Sequence, residues 1–480
     1  MEDLLEDFSG LLLPDARLSQ RLRSVFDAVR REPSKSLPAL LSGDARLEAA
    51  YRLLNNDRVT FASLQTAHAR RAAERACMAG DVVVLHDTTE IETPYADPSE
   101  VGYLKTGRAG YQAHFSLAVG VSPNRCPIPF GVLSVQTHFK ADPPQHGRKK
   151  NPRKLTSGAD TARSTTKAFL RWCRGIEASA EVLADCARII HVGDREADSY
   201  PLFSLVTQLG HGCVFRIRSD RRARLADDEI EDDWSSLSEI ASGLHGKFEQ
   251  MVPLSKRGGG KGPPARHRTH PPREARGALL QYSATRVELR RPHYAPASLP
   301  QSLDLWLVRV WEPNPPDGQK PVEWMLLTTE PCETERDILR VVDLYRARWL
   351  IEDFFKALKT GCSIEERQFE SRHALLNVLA IFLPIAVHLL WLRTCAREAP
   401  KAPATDAFTP LQLTVLAHLS PMKMPERPTV AEAYLVLAKL GGHLTNNGWP
   451  GWQVLGRAYV KLVEAVATWK VAAEFTRAEM

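Results

Sequence analysis

No Cys-x2-Cys pair occurs among the eight cysteines (Cys77, Cys126, Cys173, Cys186, Cys213, Cys332, Cys362 and Cys395), and no spacing suits a zinc site. Thiols scattered in this way suit a reducing compartment, where they stay free. A Gly-x4-Gly-Lys-Ser/Thr loop is also missing, which excludes phosphate handling by the P-loop route. The opening residues Met1-Glu2-Asp3-Leu4-Leu5-Glu6-Asp7 are acidic where a secretory leader is basic. Long apolar runs are scarce. One, residues 374–392, covers 19 positions, enough to span a bilayer. It carries Asn377, Pro384 and His388, and no second run accompanies it. The expectation is a buried helix of a large core, in a cytoplasmic protein with no membrane partner.

What is present is ordinary in amount and uneven in placement. The 480 residues are 44% hydrophobic and 25% charged, values of a globular chain and neither fibrous nor disordered. At roughly 100–200 residues per domain they suggest two to four domains. The net charge is +6, from 63 Lys+Arg against 57 Asp+Glu, and 45 of the 63 bases are Arg. Arg presents a planar fork suited to phosphate, although a GC-rich genome produces the same bias. Residues 17–70, 140–154 and 251–277 carry +5, +5 and +6, which leaves −10 for the rest. Basic segments set apart from an acidic remainder suit a polyanion-binding protein, while a solvated surface is the plainer reading of each segment alone. The acidic run at 227–233 reads only as a solvated loop.

Periodicity supplies the elements. Leu18, Leu22, Val25, Phe26 and Val29 form a helical stripe, with Arg17, Arg21, Arg23, Arg30 and Arg31 on the other face. A second helix covers 44–54. The character changes at 82–85, a continuous apolar run typical of a strand buried on both faces, which ends at His86-Asp87. Strand patterns recur at 115–119 and 131–136, a helix at 164–187, and another apolar strand at 188–193 that ends at Asp194. Period-two patterns mark strands at 279–289, 303–310 and 324–328. From Thr334, with Asp337 three residues on as a cap, a helix runs to Thr360-Gly361. A Pro/Ala-rich link and a helical end close the chain. The fold class is mixed α/β.

The helix at 334–360 holds the most informative row. Tyr345, Arg348, Glu352, Lys356 and Lys359 are spaced by three, four, four and three, which places them on one helical face. Trp349, Leu350, Phe354 and Leu358 form an apolar side expected to pack inward. An ordinary amphipathic helix explains the charges but not Tyr345 and Arg348 in the same row. Asp87 and Asp194 each close an apolar strand, and Glu352 would complete a cluster of three carboxylates. Such a cluster repels itself unless cations intervene, and oxygen ligands of this kind suit Mg²⁺ or Mn²⁺. Two such ions can clamp the attacking and leaving oxygens of a phosphoryl displacement.

These segments resemble the DDE transposases of the insertion-sequence-four group, Tn-five type. The resemblance rests on His86-Asp87-Thr88-Thr89, on Gly193-Asp194-Arg195-Glu196-Ala197-Asp198, and on Tyr345-x2-Arg348-x3-Glu352-x6-Lys359, the family's Tyr-Arg-Glu-Lys signature with every spacing intact. Weaker similarity extends along nearly the whole chain: Ala50-Tyr51-Arg52 followed by Asn56, Phe215-Arg216-Ile217-Arg218-Ser219, the strand from Trp324 to Pro331, and Gly448-Trp449-Pro450-Gly451-Trp452. His86 before the first Asp, Asp353 after the Glu, and the Gly/Pro-rich basic loop near 255–276 depart from the relatives and bear on terminal-sequence preference.

The resemblance implies a ribonuclease-H-like catalytic core with a β-rich insertion at about 200–330, plus helical N-terminal and C-terminal domains. The implied boundaries are 1–70 for DNA binding, 71–393 for catalysis and 394–480 for dimerisation. Asp87, Asp194 and Glu352 become catalytic metal ligands, with two Mg²⁺ or Mn²⁺ ions per site. Tyr345, Arg348, Lys356, Lys359, Arg218, Arg17, Arg21 and Arg52 become DNA contacts, and Trp324 stacks on a flipped base, unless it is a buried strand aromatic. The implied activity is cut-and-paste transposition: nicking, hairpin formation and opening, then strand transfer. Its partners are double-stranded DNA, as transposon ends and target, and a second copy of the chain in a synaptic homodimer. The setting is a bacterial cytoplasm, at the nucleoid when DNA-bound. An inactive DNA-binding relative and a plain metal-dependent nuclease are the alternatives; the first is disfavoured because the three carboxylates and the signature row are all present.

Overall fold

A computed structural model describes residues 4–8, 10–41, 43–121, 127–143, 167–226, 234–256, 272–444, 446 and 448–478. The basic stretches 144–154 and 257–271, the acidic run 227–233 and Cys126 lie outside the described residues. The chain forms two compact units, one of Met1–Lys149, Arg174–Ile189 and Trp349–Met480, the other of Lys150–Cys173 and Ile190–Arg348. It opens with a 3-10 turn (Leu4–Phe8) and helices α1 (Ala16–Arg31), α2 (Leu37–Leu40), α3 (Asp44–Leu54) and α4 (Phe61–Cys77). Strand β1 (Asp81–Glu92), α5 (Pro98–Val101), β2 (Gly110–Val121), β3 (Pro127–His138), α6 (Lys167–Val182) and β4 (Arg188–Gly193) follow. Next come α7 (Tyr200–Gln208), β5 (Gly212–Arg216), β6 (Arg222–Leu225), β7 (Ser235–Ser236), α8 (Leu237–Gly243), β8 (Phe248–Leu254), β9 (Arg276–Arg290), β10 (Ser302–Trp311) and β11 (Glu323–Thr328). The last elements are α9 (Glu335–Ala347), α10 (Trp349–Lys356), a π-turn (Ala357–Gly361), α11 (Arg372–Glu398), α12 (Pro410–Leu419), α13 (Val430–Leu440) and α14 (Trp452–Ala478).

In the first unit β3, β2 and β1 form an antiparallel meander. Helices α4 and α11 pack on β3, and α10 packs on β1. The apolar run at 82–85 is fully buried, as its lack of alternation requires. The apolar stretch 374–392 lies within α11, a helix long enough to cross a membrane but buried in this unit's core. Its first turns grip the N-terminal helices: Asn377 Nδ2 donates to the Leu54 and Val59 carbonyls at 3.0 and 2.7 Å. Arg367 is buried and donates to the carbonyls of Pro33, Lys35 and Cys362, with its guanidinium 4.6 Å over the Phe382 ring. In α1 the predicted stripe Leu18, Leu22, Val25, Phe26 and Val29 is buried, and Asp15 caps the helix through the Arg17 amide at 2.8 Å.

In the second unit β4 and β5 run parallel, β5 pairs antiparallel with β11, and the order continues through β10, β9, β6 and β7. Strand β9 is long enough to take β8 at Arg276–Tyr282 and β6 at Val287–Leu289 along one edge, while β10 occupies the other. The period-two segments read from the sequence are these strands.

Three expectations need correction. Asp87 does not end its strand: the ladder with β2 carries β1 on to Glu92, opposite Gly110, so Asp87 stands mid-strand where continuous burial stops. The helix from Thr334 is not continuous. Thr334 and Asp337 do form the expected capping box, but the run breaks at Arg348 and ends in the π-turn, so a single 3.6-residue phase does not hold across the signature. Trp349 therefore faces solvent at 58% exposure, whereas Phe354 and Leu358 are buried as read. The third correction concerns sulfur. Cys77 and Cys186 form a disulfide between the end of α4 and the turn before β4, while Cys213, Cys332 and Cys362 are free thiols. A separation of 109 residues gives no local signal for the Cys77–Cys186 pair.

Candidate active site

The register of β1 and β2 decides which way Asp87 points. Asp87 pairs with Phe115, and cross-strand partners project from the same face. Phe115 meets the rings of Phe354 and Phe355 at 5.5 Å each, so this face is the one covered by α10. Glu352 lies on the same covering helix, one turn before Phe355. The Asp87 Oδ1 atom accepts the Thr88 amide at 2.7 Å.

The opposite face of the same strands carries a buried polar row. His86 pairs with Ser116 and Thr88 with His114. Ser116 Oγ lies 3.1 Å from His86 Nδ1, Thr88 Oγ1 lies 3.0 Å from His114 Nδ1, and the two imidazoles stack at 5.7 Å. Burial, and then the neighbouring His114, hold His86 well below the ordinary imidazole range, so it is neutral. The row packs on α6 at Gly175, where a Cβ would lie 3.0 Å from His114 and 3.1 Å from Ser116 Oγ. A side chain there would press on both residues.

The two signature lysines are engaged within this unit. Lys356 pairs with Asp353 at 2.7 Å, and Asp353 also meets Arg397 at 3.5 Å. Lys359 donates to the Glu90 carbonyl and pairs with Glu365 at 3.1 Å. Glu365 in turn accepts the Glu92 amide at 3.0 Å. Glu365 was missed by the sequence reading because it follows the π-turn, beyond any helical spacing from Lys359.

The second unit holds the remaining candidates. Asp194 directly follows β4, as expected, and its Oδ1 accepts the Glu196 amide at 2.8 Å, a tight Asx turn. Gly193 is needed beside it, since a Cβ would lie 2.6 Å from Ala197 and 2.9 Å from Trp172. Asp198, in the same motif, is buried and accepts the Arg218 and Ser219 amides at 2.8 and 2.7 Å and an Arg221 guanidinium. That clamp shapes the turn carrying exposed Arg218. Trp324 on β11 is half-buried, meeting Tyr345 edge-on at 5.3 Å with the Arg216 guanidinium 5.9 Å away. Tyr345 and Arg348 are themselves buried. Arg195 sits where partial burial and then the Arg216 charge lower its affinity for its proton, against Tyr345 and Asp194, which raise it. Arg195, Arg216, Arg218, Tyr345 and Trp324 thus gather in this unit with Asp194.

At the N-terminus Arg17 and Arg52 are exposed and lean on Asp15 and Glu48 at 3.4 and 2.5 Å, and Arg21 is exposed. Among the described residues no group of three or more His, Cys, Asp or Glu side chains lies close enough to hold a metal ion.

Residues 136–383 match the family model of the transposase DDE domain, just over half of the chain, and residues 4–59 match that of the transposase DNA-binding domain. The chain belongs to the DDE transposase family. Asp194, Glu352 and the whole Tyr-Arg-Glu-Lys row fall inside the first match, Arg17, Arg21 and Arg52 inside the second, and Asp87 precedes the first. The transposase accordingly has a ribonuclease-H-like core and is a metal-dependent enzyme that cleaves DNA and transfers strands. Its family generally uses divalent metal ions. The donors fit such ions: Asp87, Asp194 and Glu352 are carboxylates, the hard oxygen ligands that Mg²⁺ and Mn²⁺ favour.

Proposed function

We propose that this protein is a cut-and-paste transposase of the insertion-sequence-four group, Tn-five type, with Asp87, Asp194 and Glu352 as its catalytic carboxylates. The observation that supports this most is that Phe115, the cross-strand partner of Asp87, packs on Phe354 and Phe355 of α10, the helix that carries Glu352, in a chain that belongs to the DDE family. Two Mg²⁺ or Mn²⁺ ions, when bound, supply an activated water or 3′-hydroxyl and neutralise charge on the leaving oxygen. The three carboxylates hold those ions and, being acceptors only, leave the scissile phosphate to the cationic residues. Lys356, Lys359, Tyr345, Arg348 and Arg218 bind phosphates of the transposon end. Trp324, already edge-packed on Tyr345, takes a base extruded beside the scissile bond. Arg17, Arg21 and Arg52 grip the end repeat further out, and two protomers pair in the synaptic complex.

On this reading the first nick frees a 3′-hydroxyl, which attacks the opposite strand to close a hairpin; a water reopens it and the hydroxyl then joins target DNA. A plain nuclease would cut single ends without pairing them. The test is a time course of an end-labelled terminal-repeat duplex on a denaturing gel, run with one end and with two. Expected are a nick, then a hairpin, then a blunt break, with the later products needing paired ends. Tyr345→Ala and Arg348→Ala should slow hairpin closure more than the nick. Unpaired ends cut to completion with no hairpin would leave the nuclease reading standing.

A further inference from the structure

Each signature lysine already carries a carboxylate partner from this chain, and the two pairs are built differently. Lys356 meets Asp353, three residues before it on α10, at 2.7 Å, a pair that helical spacing alone supplies. Lys359 and Glu365 are joined through β1 instead. Beyond Asp87 that strand is laddered to β2, Glu90 opposite Gln112 and Glu92 opposite Gly110. Alternate residues of a strand turn their N–H and C=O groups to the same edge. On that edge the Lys359 ammonium takes the Glu90 carbonyl, and Glu365 Oε1 takes the Glu92 amide at 3.0 Å. The same oxygen lies 3.1 Å from Lys359 Nζ. Ser363 stands in the left-handed region (φ 48°, ψ 44°) just before the 3-10 turn Ile364–Glu366 that carries Glu365. Such a conformation is costly for a residue with a side chain and persists where its surroundings hold it; the seat of Glu365 on β1 is such a hold.

We propose that Glu365 is a counter-charge that competes with DNA phosphate for Lys359, and so limits how firmly the transposase holds a duplex. A lysine ammonium offers three donors and no acceptor, and Glu90 and Glu365 already engage it from the protein side. A phosphate arriving at Lys359 takes over the contact that Glu365 holds. The exchange strands no group on the glutamate, because Oε1 keeps the Glu92 amide after the ammonium has turned away. It does leave a carboxylate, fixed by that amide, beside the incoming phosphate, and like charges so placed repel. Glu92 on the same strand brings no such penalty, since Arg108 pairs with it at 2.9 Å. The Lys359 and Glu365 side chains are 26% and 29% exposed. At that depth water screens the pair in part, and removing the competitor is worth at most about fivefold in affinity.

This inference rests on the reading of Lys359 as a phosphate contact, and a double-mutant cycle separates the two. Glu365→Gln keeps an acceptor for the Glu92 amide and removes the charge. The full-length parent, Glu365→Gln, Lys359→Ala and the double variant are compared by fluorescence anisotropy across a salt series. The probes are a labelled terminal-repeat duplex and an unrelated duplex of equal length. Lys359→Ala should weaken binding to both. Glu365→Gln should tighten both by about threefold to fivefold at low salt. The two duplexes should gain alike, because phosphate contacts carry no sequence information, and the gain should shrink as salt rises. With Lys359 already replaced by Ala, Glu365→Gln should change affinity by less than about twofold. Parental or weaker affinity in Glu365→Gln, or the same gain in the Lys359→Ala background, overturns the counter-charge role while Lys359→Ala still weakens binding. A Lys359→Ala protein that binds both duplexes as the parent does overturns the reading beneath it as well.

Discussion

Asp7 is the residue whose removal the structure prices most clearly. It lies in the 3-10 turn at Leu4–Phe8, and its side chain is 1% exposed. Its Oδ2 atom meets His68 Nδ1 at 2.6 Å, and its other oxygen takes a guanidinium nitrogen of Arg75. The Val132 amide donates to His68 Nε2 at 3.0 Å, so the ring proton sits on Nδ1 and the imidazole donates to Asp7. Burial alone would raise the Asp7 carboxyl, but the His68 hydrogen bond, with the His68 and Arg75 interactions, outweighs it and leaves it below the ordinary value of 3.8. Asp7→Ala strands a buried ring N–H and a half-covered guanidinium, a loss of about 3–5 kcal/mol. Asp7→Asn keeps an acceptor and should lose about 1–3 kcal/mol. The sign with pH follows from the lowered carboxyl: its stabilisation is present above the ordinary carboxylate range and fades as pH falls through the lowered value. Urea unfolding followed by tryptophan fluorescence, at neutral pH and near pH 3, measures both. The parent should lose more stability on acidification than Asp7→Asn does. An Asp7→Ala protein within about 1 kcal/mol of the parent at neutral pH would refute the reasoning.

Other consequences are open to direct measurement. Phe354→Ala opens a cavity between α10 and β2 and should cost about 3–5 kcal/mol; because α10 carries Glu352, nicking should fall further than the unfolded fraction accounts for, whereas a loss no greater than that fraction would count against α10 as the carrier of the site. Arg367→Met leaves the Pro33, Lys35 and Cys362 carbonyls without their donor and should loosen the N-terminal helices, seen as faster limited proteolysis after residue 33; unchanged proteolysis would show the contact to be dispensable. Lys356→Ala should lower the slope of log affinity against log salt for the terminal repeat by about 1, and an unchanged slope would remove Lys356 from the phosphate contacts.

Local signals carried the reading as far as local signals reach. The unalternating run at 82–85 marked a strand buried on both faces, Gly193-Asp194 marked a strand end, and Thr334 with Asp337 marked a helix start, because each depends on neighbours within a few residues. Asp87 was placed at a strand end because apolarity stops there, yet ladder pairing with β2 does not depend on apolarity and continues to Glu92. The five-residue signature row was read on one helical phase, and the break at Arg348 with the following π-turn leaves no such phase, which exposes Trp349. Pairings at long separation were invisible for another reason: Asp7 with His68, Thr88 with His114, Lys359 with the Glu90 carbonyl and Cys77 with Cys186 are set by the packing of distant elements.

The most direct test of the central claim replaces each carboxylate singly, as Asp87→Ala, Asp194→Ala and Glu352→Ala, and follows a labelled terminal-repeat duplex with Mg²⁺ or Mn²⁺. Each variant should bind the duplex with close to parental affinity and produce no nick, hairpin or double-strand break. Cutting by any one of them at the parental rate would contradict the assignment of that carboxylate to the catalytic set.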